Sequence, residues 1–317
     1  MQVEKLILKF LSLVTFLRYP SQLKSSRYYI RDNYFSRLIQ TKYLFKDYVS
    51  KEKYKVIVYK GEFQQELTFV LPFAYWHYLN GTLKKTVSCL DTKDFYFFSE
   101  NHTEVFTQRT LEYDAHSFQF PNMTHTIKFS TLKWAPVPLK EHYKNNTFVY
   151  DKPLLIIANK FNIEWKNFPL NFFNIPVLDR IFKKYKHKYQ IIYNRPLVNH
   201  IIMDNSDILD LDEYDWIRSE HPEVILLNDL YQKHQTKVNS FNHLQLMVYA
   251  NSSHFVSVHG GTAALASYFG GTNIILSKSG IEHSFNEFDT IFPALSGARI
   301  LHAKHEDDIF TFLEEYY

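Results

Sequence analysis

One cysteine, Cys89, stands in a chain of 317 residues. A single thiol excludes an intramolecular disulfide, and the absence of CxxC or Cys/His spacing excludes a structural zinc site, which fits a reducing compartment. Charge of one sign is missing too. Thirty-six Lys and Arg face 33 Asp and Glu, a net of +3, too little for the cationic field that nucleic-acid binding needs. No nucleic-acid partner is expected.

No apolar run reaches the roughly 20 residues that a bilayer-spanning helix takes. The segment Leu6 to Leu17 comes nearest, but Lys9 interrupts it and no small-residue cleavage site follows. It reads as a helix with a polar stripe of Lys5, Lys9 and Ser12. Such a helix is either core to a first lobe or interfacial, with residues 5–18 lying on a membrane and helped by Arg18, Lys24 and Arg27. Both readings keep the protein cytoplasmic, peripheral at a membrane in the second case. Five N-x-Ser/Thr sequons, at Asn80, Asn101, Asn122, Asn145 and Asn251, read as accidents of an Asn-rich composition.

Glycine is scarce, and its distribution is the strongest local signal. Of 8 glycines, Gly260, Gly261, Gly270, Gly271 and Gly280 fall close together. Glycine belongs where the backbone needs positive φ or where something must approach the main chain.

The length and a 45% hydrophobic content suit two α/β domains, set here at residues 1–150 and 151–317 with a linker through Trp134 to Asn146. In the second, short apolar runs alternate with helical patterns, as in βαβ units. Strands are predicted at Leu154–Ala158, Tyr189–Tyr193, Val224–Leu227, Phe255–Val258, Asn273–Leu276 and Arg299–His302. Helices are predicted at Val177–Lys186, Phe241–Ala250, Thr262–Phe269 and Asp307–Tyr316. In the first, Lys55–Tyr59, Thr86–Leu90 and Phe95–Phe98 read as strands and Glu66–Leu79 as a helix. Gly260 and Gly261 then sit between a strand and a helix, where free N–H groups make an anion site and His259 and Thr262 add hydrogen bonds. A tight turn without a ligand explains the same glycines.

The stretch Ser257-Val258-His259-Gly260-Gly261-Thr262-Ala263 through Gly271, with Ile274-Ile275-Leu276 and Glu282, resembles the donor-binding half of GT-B glycosyltransferases. It is most similar to the His-Gly-(Ala/Gly)-x-x-x-Asn pattern of the family that contains plant β-1,2-xylosyltransferases and the endoplasmic-reticulum O-GlcNAc transferase, with Ala264-Leu265-Ala266 in place of the Asn. The resemblance implies an α/β, GT-B-like protein of two Rossmann-like domains facing a cleft. It implies a UDP- or GDP-linked sugar as co-substrate, a glycan or glycolipid as acceptor, and no further cofactor. His259, Gly260, Gly261 and Thr262 would hold the diphosphate and Glu282 the ribose hydroxyls. At two other strand ends, Asn159-Lys160 and Asn194-Arg195 offer basic residues to the same diphosphate.

Transfer to a hydroxyl also needs a base. Glu62, between the first strand and the following helix, is the first choice, with Glu66 one turn on as the alternative. His77, Glu100, Asp114 and His116 are further candidates. Asp210-Leu211-Asp212 has the form of a metal-binding D-x-D but lies in an acidic run without a preceding apolar strand, so no metal is expected. An epimerase or polysaccharide pyruvyltransferase, and a non-catalytic glycan-binding protein, are the alternatives.

Overall fold

A computed structural model describes residues 2–110, 118–122, 125–164, 168–198, 200, 202 and 206–317. Its strands are β1 (Lys55–Val58), β2 (Leu83–Cys89), β3 (His102–Phe106), β4 (Leu154–Ala158), β5 (Asn162–Glu164), β6 (Gln190–Asn194), β7 (Ser206–Ile208), β8 (Ile225–Leu226), β9 (His254–Val258), β10 (Thr272–Leu276) and β11 (Arg299–Ala303). They form a parallel three-stranded sheet in the order β1-β2-β3, a parallel six-stranded sheet in the order β11-β10-β9-β4-β6-β8, and an antiparallel pair, β5 with β7.

Read from β8 and counted within the larger sheet, that order is 3-2-1-4-5-6, the Rossmann-like order, whose direction reverses between β4 and β9. The central strands carry continuous apolar runs because helices cover both faces. Leu155 and Ile157 of β4 enter one buried cluster with Ile181, Phe182 and Leu313, while Leu154, Ile156 and Ala158 enter another. That second cluster is continuous with Ile57, Phe73 and Phe95 from the N-terminal half.

Local chemistry explains the helices. Asn174 accepts a hydrogen bond from Val177 N (3.0 Å) at the start of Ile175–Tyr185, and Ser240 Oγ accepts one from His243 N (3.1 Å) at the start of Phe241–Ala250. Residues 63–79 form one helix with a π turn over Glu66–Val70. Pro72 lacks an N–H, and Thr68 O accepts from Trp134 Nε1 instead (2.8 Å). The stretch read as a linker is thereby packed. Trp134, Val137, Leu139 and Tyr143 are buried, Leu139–Tyr143 is helical, and Lys140 Nζ donates to Ser252 O and Phe269 O.

Two strand expectations need correction. Phe95–Phe98 was expected extended, but Lys93–Tyr96 is a 3-10 helix with Phe95, Tyr96 and Phe98 buried. Val224–Leu227 holds only the two-residue β8, and Leu227 already opens the helix Leu227–His234. Short apolar runs do not distinguish a strand from a buried turn.

The N-terminal helix, Gln2–Arg18, packs on the helix Lys24–Thr41 and buries only Leu11 and Thr15. Val3, Leu6 (69% exposed), Phe10 (63%), Leu13 and Leu17 form an outward stripe, so this is not a core helix. Among the described residues no helix is long and apolar enough to cross a membrane. Among the sequon residues, Asn122, Asn145 and Asn251 donate their amides to the backbone carbonyls of Ser130, Met247 and Phe148.

Candidate functional site

The reversal of strand order puts the carboxyl ends of β4 and β9 side by side, and the residues that leave them meet. His259 follows β9, Gly260 adopts φ +107°, and the helix Gly261–Ala266 begins at once. Lys160 leaves β4 and reaches across. A Cβ added to Gly260 would lie 3.2 Å from Lys160 Nζ and 4.0 Å from Gln64 Oε1. The N–H groups of Gly261 and Thr262 open the helix and have no acceptor within it. Thr262 is half-buried.

The N-terminal half supplies the facing wall through the turn before the helix 63–79. Arg109 fixes that turn, with Nη1 donating to Gly61 O (2.8 Å) and Nη2 to Glu66 Oε2 (2.7 Å). Tyr59 OH donates to Glu62 O (3.2 Å). Phe63 packs so tightly on Gly261 that a Cβ there would meet its ring at 2.8 Å. Gly280 has a similar role, since a Cβ on it would lie 2.2 Å from His259 Cε1. Two glycines of the cluster are thus explained by packing.

His259 is held on both sides. Its Nδ1 shares a hydrogen bond with Ser277 Oγ (2.7 Å), which shares another with His283 Nε2 (2.7 Å), and its Nε2 lies 3.0 Å from Glu282 Oε2. Gln64 Nε2 donates to Glu282 Oε1 (2.9 Å), linking the two halves of the chain. Burial opposes the Glu282 charge, but His259 and then His125 hold its carboxyl well below the usual range.

His125 and Glu287 complete the cluster. His125 lies edge-on to Tyr29 (5.1 Å between centroids) and stacks on Phe285 (5.7 Å), and Asn33 Nδ2 donates to its carbonyl (2.8 Å). Its Nδ1 pairs with Glu287 Oε1 at 2.8 Å. Burial works against the imidazolium, yet Glu287, with Glu282 and Glu62, raises the His125 pKa above its ordinary value. Burial raises the Glu287 carboxyl. Neither residue was singled out by sequence. They lie 162 positions apart, and only the fold joins them.

The other residues named from sequence divide clearly. Glu62 lies on the turn before Phe63 and Gln64, where Gln65 Nε2 donates to its Oε2 (2.9 Å). Glu66 is buried, with one oxygen on Arg109 and the other accepting from Tyr96 OH (2.8 Å). Asn159 bonds Phe173 N and O and Tyr193 OH, and the Asn194 amide bonds Gln245 Oε1 and Tyr249 OH. Arg195 is buried in a two-point ion pair with Glu213. Contacts at the ends of β4 and β9 therefore gather Lys160, His259, Gly260, Gly261 and Glu282, with Thr262 on the helix they open and Glu62 on the adjoining turn, and leave Glu66, Asn159, Asn194 and Arg195 to internal bonds.

His77 is buried among Lys55, Lys133 and Asp47, about 21 Å along the helix from residue 63 at 1.5 Å per residue. Glu100 is exposed and pairs with Lys53. Asp114 and His116 lie outside the described residues. In the acidic run, Asp210 pairs with Arg195 (3.4 Å) and Asp212 has φ +57°. No protein-family model, curated protein or solved structure matches the chain.

Proposed function

We propose that the chain is a glycosyltransferase that takes a UDP- or GDP-linked sugar in the crevice between β4 and β9 and transfers the sugar, with inversion, to a glycan or glycolipid hydroxyl. In this reading the two halves of the chain work as the two Rossmann-like lobes of a GT-B-like enzyme. One observation carries it: Lys160 meets Gly260 at the reversal of strand order, opposite the turn that bears Glu62 and Gln64. Lys160 Nζ and the N–H groups of Gly261 and Thr262 receive the diphosphate, with His259 fixed beside them by Ser277. Glu62 takes the acceptor proton, the hydroxyl oxygen attacks the anomeric carbon, and the nucleoside diphosphate departs with the bonding pair.

The test is release of nucleoside diphosphate and transfer of sugar from a panel of UDP- and GDP-sugars. Glu62→Gln should lower kcat by about 10² to 10⁴ while leaving nucleotide affinity within a few-fold. Absence of turnover with every donor would refute catalysis. A non-catalytic glycan-binding role is the second reading, favoured by the packing roles of Gly261 and Gly280.

The outward stripe of the helix Gln2–Arg18, flanked by Lys5 and Lys9, suits contact with an anionic membrane surface. Such contact would bring the crevice to a glycolipid acceptor.

A further inference from the structure

We propose that His125, Glu282 and Glu287 form a binding site for a divalent transition-metal ion at the floor of the crevice. One nitrogen of His125 and one carboxylate oxygen from each glutamate lie within 4.8 Å of one another, the only such group among the described residues. Ligands bonded at roughly 2.0–2.2 Å to a tetrahedral ion stand about 3.4 Å apart, a spacing that a modest side-chain adjustment brings within reach of this set.

The independent observation is an orphaned oxygen. Glu287 is fully buried, yet its Oε2 receives no hydrogen bond, while the neighbouring Glu282 Oε2 faces His259 Nε2 at 3.0 Å. A buried carboxylate oxygen without a donor is costly, and a cation shared with Glu282 would satisfy it. The surroundings are built to hold such ligands. Gln64 Nε2 orients Glu282 through its other oxygen, Asn33 anchors the His125 backbone, and Tyr29 and Phe285 fix the His125 ring.

One imidazole and two carboxylates favour Zn²⁺ or Mn²⁺ over Ca²⁺, which prefers an all-oxygen shell. Three protein ligands leave a coordination position for water or a ligand oxygen. This site departs from the expectation of no metal, which rested on the Asp210-Leu211-Asp212 segment and on the absence of Cys/His zinc spacing. It does not depend on the sugar-transfer reading.

The experiment strips the full chain with chelator and titrates it calorimetrically with Zn²⁺ and with Mn²⁺, alongside His125→Asn and Glu287→Gln, with circular dichroism to check folding. One equivalent bound by the wild type and at least 100-fold weaker binding by each folded variant is the expected result. No binding by the wild type, or equal binding by the variants, would overturn the site. Should a variant fail to fold, the Mn²⁺-loaded wild type decides. Its electron-spin-echo spectrum must show one directly bound imidazole nitrogen, and a spectrum without one refutes the proposal. Nucleotide titrations run in chelator separate failure of this site from failure of the crevice assignment.

Discussion

Lys160 Nζ stands where a methyl group on Gly260 would come within 3.2 Å of it. The two residues leave adjacent parallel strands, β4 and β9, at the point where the order of the sheet reverses. That placement turns a scarce glycine and an ordinary lysine into neighbours at the mouth of a crevice.

Gly260→Ala should therefore act twice. At φ +107° an L side chain is strained by about 1–3 kcal/mol, and the methyl presses on Lys160. Denaturant unfolding should show a stability loss of that size, and nucleotide affinity should drop by at least tenfold. Unchanged affinity in a destabilised but folded variant would make the turn purely architectural.

Glu213→Gln should damage the fold rather than the crevice. It leaves the buried Arg195 guanidinium short of its carboxylate, and removing one partner of a buried pair costs about 3–5 kcal/mol. Urea unfolding should show that loss. Nucleotide affinity of the fraction that remains folded should stay within a few-fold of wild type.

His77 gives the protein an acid-sensitive core. Burial lowers its pKa to about 2, so the folded state keeps the ring neutral while the unfolded chain protonates it near the ordinary value of roughly 6.5. Because the folded value is the depressed one, its contribution is present above pH 6.5 and is lost as pH falls toward 2. The slope reaches up to about 1.4 kcal/mol per pH unit. His77→Gln should flatten the stability profile between pH 6.5 and 5, measured by urea midpoint. An unchanged slope would place the titration elsewhere.

Phe10→Ser combined with Leu13→Ser removes the middle of the exposed stripe on the N-terminal helix without touching the buried Leu11 and Thr15. Co-sedimentation with phosphatidylserine vesicles should fall at least tenfold. If the wild type itself does not sediment with them, the stripe has another partner or none.

Strong periodicity made the C-terminal half legible. Strands β4, β9 and β10 and the helix Phe241–Ala250 stand within a residue or so of their sequence-based positions. The glycine cluster marked the turn at His259. Tertiary pairing was not legible. Arg195 and Lys160 follow strands in the same way, yet Glu213, 18 residues on, draws Arg195 inward. Glu66 stands as the alternative to Glu62 in sequence, but Arg109 and Tyr96 close on it. His125 sits in a segment without periodicity, and nothing local marks it. Phe95 and Tyr96 show the same limit from the other side, being as apolar as any strand but folded as a buried turn.

The most direct measurement is a calorimetric titration of the purified chain with UDP and GDP in chelator, repeated on Lys160→Ala and His259→Ala. Micromolar binding of one nucleotide by the wild type, at least tenfold weaker in both variants, is the expected result. No binding of either nucleotide, or equal affinity in all three proteins, would contradict a diphosphate site between β4 and β9.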